Sequence, residues 1–215
     1  VGTITTSNST VTVTYTNPQG IGFYQTSGGN DYYRNGTDGP GGTSPFTSTA
    51  VDNRPATTDI IALQYAGSQT LSFSQAIANP VFAYVSLNGN GYGFDQDFDI
   101  LSFGDASDGN VCGYWGCGTS YKQVATVNGK TEYQLLGTGE PHGTLQFKGT
   151  FDTVNWRSLS SENWNGFTVG VQETAVEYCT ANPTAPGCTP NGVPEPASLA
   201  LLGLGLAGLG VARRR

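Results

Sequence analysis

Apolar and polar residues alternate with a period of two over residues 10–15, Thr-Val-Thr-Val-Thr-Tyr, which puts Val11, Val13 and Tyr15 on one face of a strand. Further strand-like runs follow at 59–65, 70–73, 81–87 and 98–103, each bounded by Gly, Asn, Pro or Asp. A second series covers 132–136, 144–148, 151–157 and 166–171. In the last of these Phe167, Val169 and Val171 alternate with Thr168 and Gly170. Residues 17–58 break the pattern with Gly28-Gly29-Asn30, Asn35-Gly36 and Gly39-Pro40-Gly41-Gly42, turn signals without a sustained period. Such a long loop-rich tract is uncommon inside a domain unless it has a function or is mobile. No apolar stripe of helical period precedes Ala197. Short, evenly spaced strands predict an all-β fold, an antiparallel, jelly-roll-like β-sandwich over residues 1–173.

The pattern changes again after residue 173. Residues 174–192 contain Pro183, Pro186 and Pro190 and read as a linker. Val193-Pro194-Glu195-Pro196 follows, then an apolar run over 197–212, then Arg213, Arg214 and Arg215. As a helix that run would extend about 24 Å, short of a hydrocarbon core of about 30 Å. Snorkelling arginines and local thinning of the bilayer offset the difference. The arginines should stay cytoplasmic and the body should face the other side. A transmembrane helix over 197–212 is therefore expected.

The order of Val-Pro-Glu-Pro, Gly/Leu-rich helix and terminal arginines resembles the PEP-CTERM sorting signal of Gram-negative bacteria. The resemblance covers residues 193–215. It implies export, anchoring in the inner membrane, and processing by an exosortase, a membrane protease that recognises the motif. Pro194, Glu195 and Pro196 would be its recognition residues, and the body would pass to the cell surface or the exopolysaccharide matrix. Val rather than Met at position 1 adds the expectation that an N-terminal segment precedes this chain.

Composition narrows the role of the body. Charged residues make up 12% of the chain and the formal net charge is −7, with three of the nine basic residues at the C-terminus. No basic face is available to neutralise phosphates, which excludes nucleic acid as a partner. Cys112, Cys117, Cys179 and Cys188 fall into two close pairs without zinc-like spacing, and His142 is the only histidine. Local disulfides Cys112–Cys117 and Cys179–Cys188 are the expectation in an oxidising compartment.

Three kinds of chemistry are candidates. Asp95, Asp97 and Asp99 would project from one strand face, with Asp105, Asp108 and Asn110 in the following turn. Together they supply the hard oxygen ligands of a calcium site, or else a solvated acidic edge. Tyr32, Tyr33, Tyr92, Tyr114 and Trp115 lie in Gly/Asn-rich stretches where rings can stack on sugars. Tyr114 and Trp115 sit inside the Cys112–Cys117 bracket, which would constrain them. The alternative is that these rings cap the core. Glu132, Glu140 and Glu162 could form the carboxylate pair of a glycosidase. No nucleophile elbow is present for a serine hydrolase. The expected role is structural or adhesive and non-catalytic. A carbohydrate-binding module, with calcium as its possible cofactor, is the first alternative, and a glycan-active hydrolase the second.

Overall fold

A computed structural model describes residues 1–34, 43–52, 54–55, 58–186 and 188. In chain order its strands are β1 (Gly2–Thr5), β2 (Thr10–Thr16), β3 (Phe23–Gln25), β4 (Ile60–Leu63), β5 (Gly67–Ala78), β6 (Val81–Val85) and β7 (Tyr92–Phe94). They continue with β8 (Phe98–Phe103), β9 (Gly118–Val127), β10 (Lys130–Gly139), β11 (Gly143–Phe147), β12 (Thr150–Ser158), β13 (Asn165–Gly170) and β14 (Glu173–Thr174). One helix, α1, spans Ala175–Ala181. All of the strand pairs are antiparallel. One sheet runs β1-β2-β5-β12-β7-β10-β9, with β14 also on β5, and the other runs β3-β4-β13-β6-β11-β8.

The sheets face each other across an aromatic core. Phe82 of β6 stacks on Phe167 of its own sheet at 4.8 Å. It meets Phe94 and Trp156 of the opposite sheet edge-on at 5.6 and 5.9 Å. Fully burying a side chain of this size stabilises the fold by about 1.5–3 kcal/mol, so this cluster binds one sheet to the other. Strand β2 contributes Val11 and Val13, both buried, as the alternation requires.

The β6 sequence, Val-Phe-Ala-Tyr-Val, shows no alternation because both faces are covered. Phe82 and Tyr84 point into the sandwich, whereas Ala83 and Val85 join Ile60, Tyr33 and Phe46 in a second cluster on the outer face. Tyr33 and Phe46 come from the loop-rich tract and cover the outer face of the six-stranded sheet. Phe23, Tyr32 and Trp164 pack against that second cluster.

The expected boundary at residue 173 falls within β14. Glu173 and Thr174 pair with Ala78 and Ile77, and α1 starts at once. The Thr174 hydroxyl accepts the Glu177 N–H, and the Glu177 carboxylate accepts the Thr174 N–H. Glu177 also receives the Thr6 hydroxyl at 2.9 Å and the Asn8 N–H at 3.0 Å. These contacts tie the start of the expected linker to the β1–β2 turn. Cys179 and Cys188 are bonded, closing the chain that follows. Among the described residues no helix is long and apolar enough to cross a membrane; the span expected over 197–212, Pro194–Glu195–Pro196 and the terminal arginines lie outside them.

Candidate functional site

Three connections meet at one end of the sandwich: those joining β6 to β7, β10 to β11, and β12 to β13, together with the Cys112–Cys117 loop. The disulfide is formed, and the Gly113 N–H closes the loop on the Gly116 carbonyl at 3.0 Å. Tyr114 and Trp115 are held at its tip. Trp115 packs edge-on against Trp164 at 4.8 Å and stacks with Tyr32 at 5.3 Å. Tyr32 also meets Tyr114 and Trp164, and the Arg34 guanidinium lies 4.6 Å above the Tyr114 ring. Trp115 keeps 44% of its surface exposed.

Beneath the loop lies His142, fully buried, its ring stacked with Trp115 at 6.4 Å. Its Nδ1 accepts the Ser86 N–H at 3.2 Å, which leaves the proton on Nε2, and Nε2 is buried without a partner. Burial lowers this imidazole from 6.5 to about 4, so it stays neutral. A Cβ on Gly113 would come within 2.0 Å of the His142 ring; only glycine lets the loop lie this close.

Trp115 and Trp164 border a cleft of about 880 Å³, whose other lining residues include Ser86, Asn88, Glu140, Ser161, Glu162 and Asn163. Glu140 accepts the Ser86 hydroxyl at 2.8 Å and the Asn88 amide. Glu162 accepts the Asn165 amide through Oε1, and Asn165 in turn accepts the Tyr92 hydroxyl. Oε2 of Glu162 is buried and makes no well-formed hydrogen bond. Burial raises the Glu162 carboxyl from 4.5 to about 7; the Asn165 and Asn90 amides pull it down and the charge of Glu140 adds to the rise. The site thus presents two indoles, two carboxylates and neutral amide and hydroxyl groups.

The sequence candidates are distributed as follows. Trp115 lines the cleft and Tyr114 supports it. Tyr92 does not line it: it is 0% exposed, packed edge-on against Phe82 and Phe94, and reaches the cleft only through Asn165 and Glu162. It sits in β7 one residue from Gly93, so the period-two alternation points it inward with Phe94. Tyr33 is likewise in the core, against Phe46. Of the three glutamates, Glu140 and Glu162 share the cleft. Glu132 lies on the opposite sheet, paired with Arg157.

The acidic segment differs from the expected strand face. The chain leaves β7 at Phe94 and enters β8 at Phe98, so Asp95 and Asp97 lie in the crossover between sheets. Asp95 accepts the Asn155 N–H and side-chain amide at 2.9 and 2.7 Å. Asp97 is bridged to Lys122 at 2.8 Å and Lys148 at 3.8 Å, and Asp99 to Lys148 at 2.8 Å. Desolvation raises Asp97, but the Lys122 hydrogen bond and charge, with help from the Phe98 N–H and Lys148, hold it below the usual carboxylate range. Asp105 accepts the Ser107 N–H, Asp108 takes the Phe103 N–H and the Asn110 amide, and Asn110 binds Thr43. Asp95 and Asp97 precede the six-residue strand β8, Asp99 is its second residue and the other three follow it, so at about 3.3 Å per residue the strand holds the two groups on the order of 10 Å or more apart. Among the described residues no group of three or more His, Cys, Asp or Glu side chains converges as a metal site. The six candidate calcium ligands are thus split into two groups, with Asp97 and Asp99 paired to lysines and the others hydrogen-bonded to neutral groups of the protein.

Comparison with known proteins bears on the C-terminus. Residues 192–215 match the PEP-CTERM protein-sorting motif. This motif implies an exported protein with a C-terminal sorting tail, processing by an exosortase and a membrane association. Comparisons with curated proteins and with solved structures found no match.

The sequence reading did not select Trp164 as a site residue. Its setting, Glu162-Asn163-Trp164-Asn165, was a usable signal: a large ring in a polar connection that precedes β13 rather than belonging to it.

Proposed function

We propose that the sandwich is an adhesive module of the cell surface or extracellular matrix that binds carbohydrate in the Trp115–Trp164 cleft. The observation that carries this reading is the combination in one cleft of indole surface with the hydrogen-bonding groups of Ser86, Asn88, Glu140 and Asn163. Sugars offer an apolar C–H face to a ring and hydroxyls around their edge, and a largely pre-formed site of this kind limits the entropic cost of binding. The disulfide and the buried His142 hold Trp115 in place before any ligand arrives. After sorting, the tail would bring this cleft next to the exopolysaccharide. The strand order β5-β12-β7-β10 opposite β6-β11-β8, with successive strands crossing between sheets, supports the jelly-roll-like reading of the scaffold.

A glycan array probed with the full chain in detergent tests the proposal. Binding is expected, unchanged by a calcium chelator, since the acidic segment is neutralised internally. Trp115→Ala, at a half-exposed position, should abolish it without unfolding the protein. An array without signal for the parent protein would refute the reading.

A second reading follows from the shared position of Glu140 and Glu162. A glycosidase needs one carboxyl kept protonated near neutral pH and a second carboxylate across the scissile bond. Release of reducing sugar from bound glycans, lost in both Glu162→Gln and Glu140→Gln, would favour hydrolysis over binding alone.

A further inference from the structure

The lining of the cleft has a charge bias that the carbohydrate reading does not by itself explain. Glu140 and Glu162 both border it, and among the described residues no Lys, Arg or His does. The nearest described cation of the aromatic cluster, Arg34, lies over Tyr114. The faces of Trp115 and Trp164 are also electronegative, because the indole quadrupole presents its negative side there. Every strong electrostatic element of the site therefore favours a positive ligand.

We propose that the sugar bound in this cleft carries a free, protonated amine, as in a glucosamine-type residue that has lost its acetyl group. The inference rests on the carbohydrate reading and names the sugar class within it. A neutral sugar could donate a hydroxyl to the buried Oε2 of Glu162, but a hydrogen bond whose donor is also charged is the stronger one. A uronic acid would add a further negative charge beside Glu140 and Glu162, whose ionised form is already disfavoured. An ammonium group supplies donors for Glu162 and a cation for the indole faces at once. It also relieves the repulsion that Glu140 exerts on Glu162, which is part of what disfavours the ionised form in the empty cleft. The amine thus brings a charge to contacts where an acetamido or hydroxyl group at the same carbon offers only a neutral donor.

Calorimetry on the full chain in detergent, with glucosamine oligomers, their N-acetylated counterparts, glucose oligomers and oligolysine, tests this. The glucosamine oligomer should bind at least about tenfold more tightly than either uncharged sugar, as a cation–π contact combined with an ion pair would give. Glu162→Gln should bring that ratio close to one while leaving glucose-oligomer binding in place. Trp115→Ala should remove binding of every sugar. Equal affinity for charged and uncharged sugars would overturn the amine inference and leave the carbohydrate reading standing. Oligolysine binding as tight as the glucosamine oligomer would overturn it too, since charge without a sugar would then suffice. Failure of every sugar to bind would overturn both.

Discussion

Arg157 of β12 grips Glu132 of β10 with two hydrogen bonds, Nε to Oε2 at 2.7 Å and Nη2 to Oε1 at 2.9 Å, reaching over the intervening strand β7. The pair passes above Gly93, where a Cβ would stand 2.4 Å from the Glu132 carboxyl carbon. The Arg157 hydrogen bond, against some desolvation, holds Glu132 below the usual carboxylate range. This clamp fastens three strands on the outer face of the larger sheet, away from the cleft.

Removing Arg157 leaves a nearly buried carboxylate with the Gln134 amide, at 2.7 Å, as its remaining side-chain partner. Arg157→Ala should cost about 1–3 kcal/mol, the lower part of that range being set by solvent that reaches the half-exposed guanidinium. Gly93→Ala should also destabilise the protein, by displacing Glu132. In the Arg157→Ala background it should cost less, because Glu132 is then free to swing aside. Urea unfolding of the two single variants and the double variant measures this coupling.

Glu162 and His142 make opposing contributions to stability against pH. The folded carboxyl of Glu162 is raised from 4.5 to about 7, so its contribution is fully present below 4.5 and lost as pH rises through about 7. His142 is lowered from 6.5 to about 4, so its contribution is fully present above 6.5 and lost as pH falls through about 4. Between these limits the two slopes offset each other. Glu162→Gln should remove one of them: its melting temperature should decline from pH 6.5 to pH 4 more steeply than that of the parent. At pH 8 the variant should be the more stable of the two.

How far the sequence revealed the fold depended on how cleanly each strand has one wet face. Strand β2, buried at Val11 and Val13 and exposed at Thr10, Thr12 and Thr14, was plain, and β8 was found at its observed bounds. Strand β9 was missed because it is an edge strand paired only with β10, and most of its residues keep some exposure on both faces. The decisive signal was its turn: Asn128 and Gly129, both at positive φ, join Val127 to Lys130 as a two-residue hairpin loop. Strand β7 is too short to show a period, so the sequence leaves Tyr92 open between an exposed ring and a core ring, and the structure places it in the core. The cleft was half visible. The cysteine bracket singled out Trp115, but Trp164 and Glu162 reach it from the β12–β13 connection, and only the packing of the sheets brings these loops together.

The acidic crossover gives a direct test of the calcium expectation. Lys122 and Lys148 already neutralise Asp97 and Asp99, and Asn155 occupies Asp95. A cation that binds only the folded state raises stability in proportion to the logarithm of its concentration over Kd. Melting curves in millimolar calcium and in chelator should therefore coincide. Lys148→Ala should open the segment, and a calcium-dependent rise appearing only in that variant would show that the lysine takes the place of a metal.

The sorting motif lies in residues 192–215, beyond the described sandwich. Deleting residues 194–215 should leave melting behaviour unchanged, because the core residues identified among the described ones all precede them. The same deletion should move the protein from the membrane fraction to the soluble one. Glu195→Ala should preserve membrane association but stop processing. Unaltered fractionation of the deletion variant would show that another segment holds the protein to the membrane.

The Cys112–Cys117 bridge links redox state to the cleft rather than to the core. The loop it closes carries Trp115, and its Gly113 lies against the buried His142 ring. None of the four residues inside the bridge belongs to a strand, and the sheets are held by the Phe82 cluster on the other side of β6. Replacing both cysteines with serine should therefore lower the melting temperature only modestly and weaken sugar binding strongly, since Trp115 loses its fixed position. In the same variant the Nε2 edge of His142 gains access to water, so its imidazole should titrate closer to 6.5 than to 4. Proton NMR of this single histidine follows that change without interference from another. An unchanged titration together with unchanged binding would mean that ring packing among Trp115, Trp164 and Tyr32 holds the loop without the disulfide.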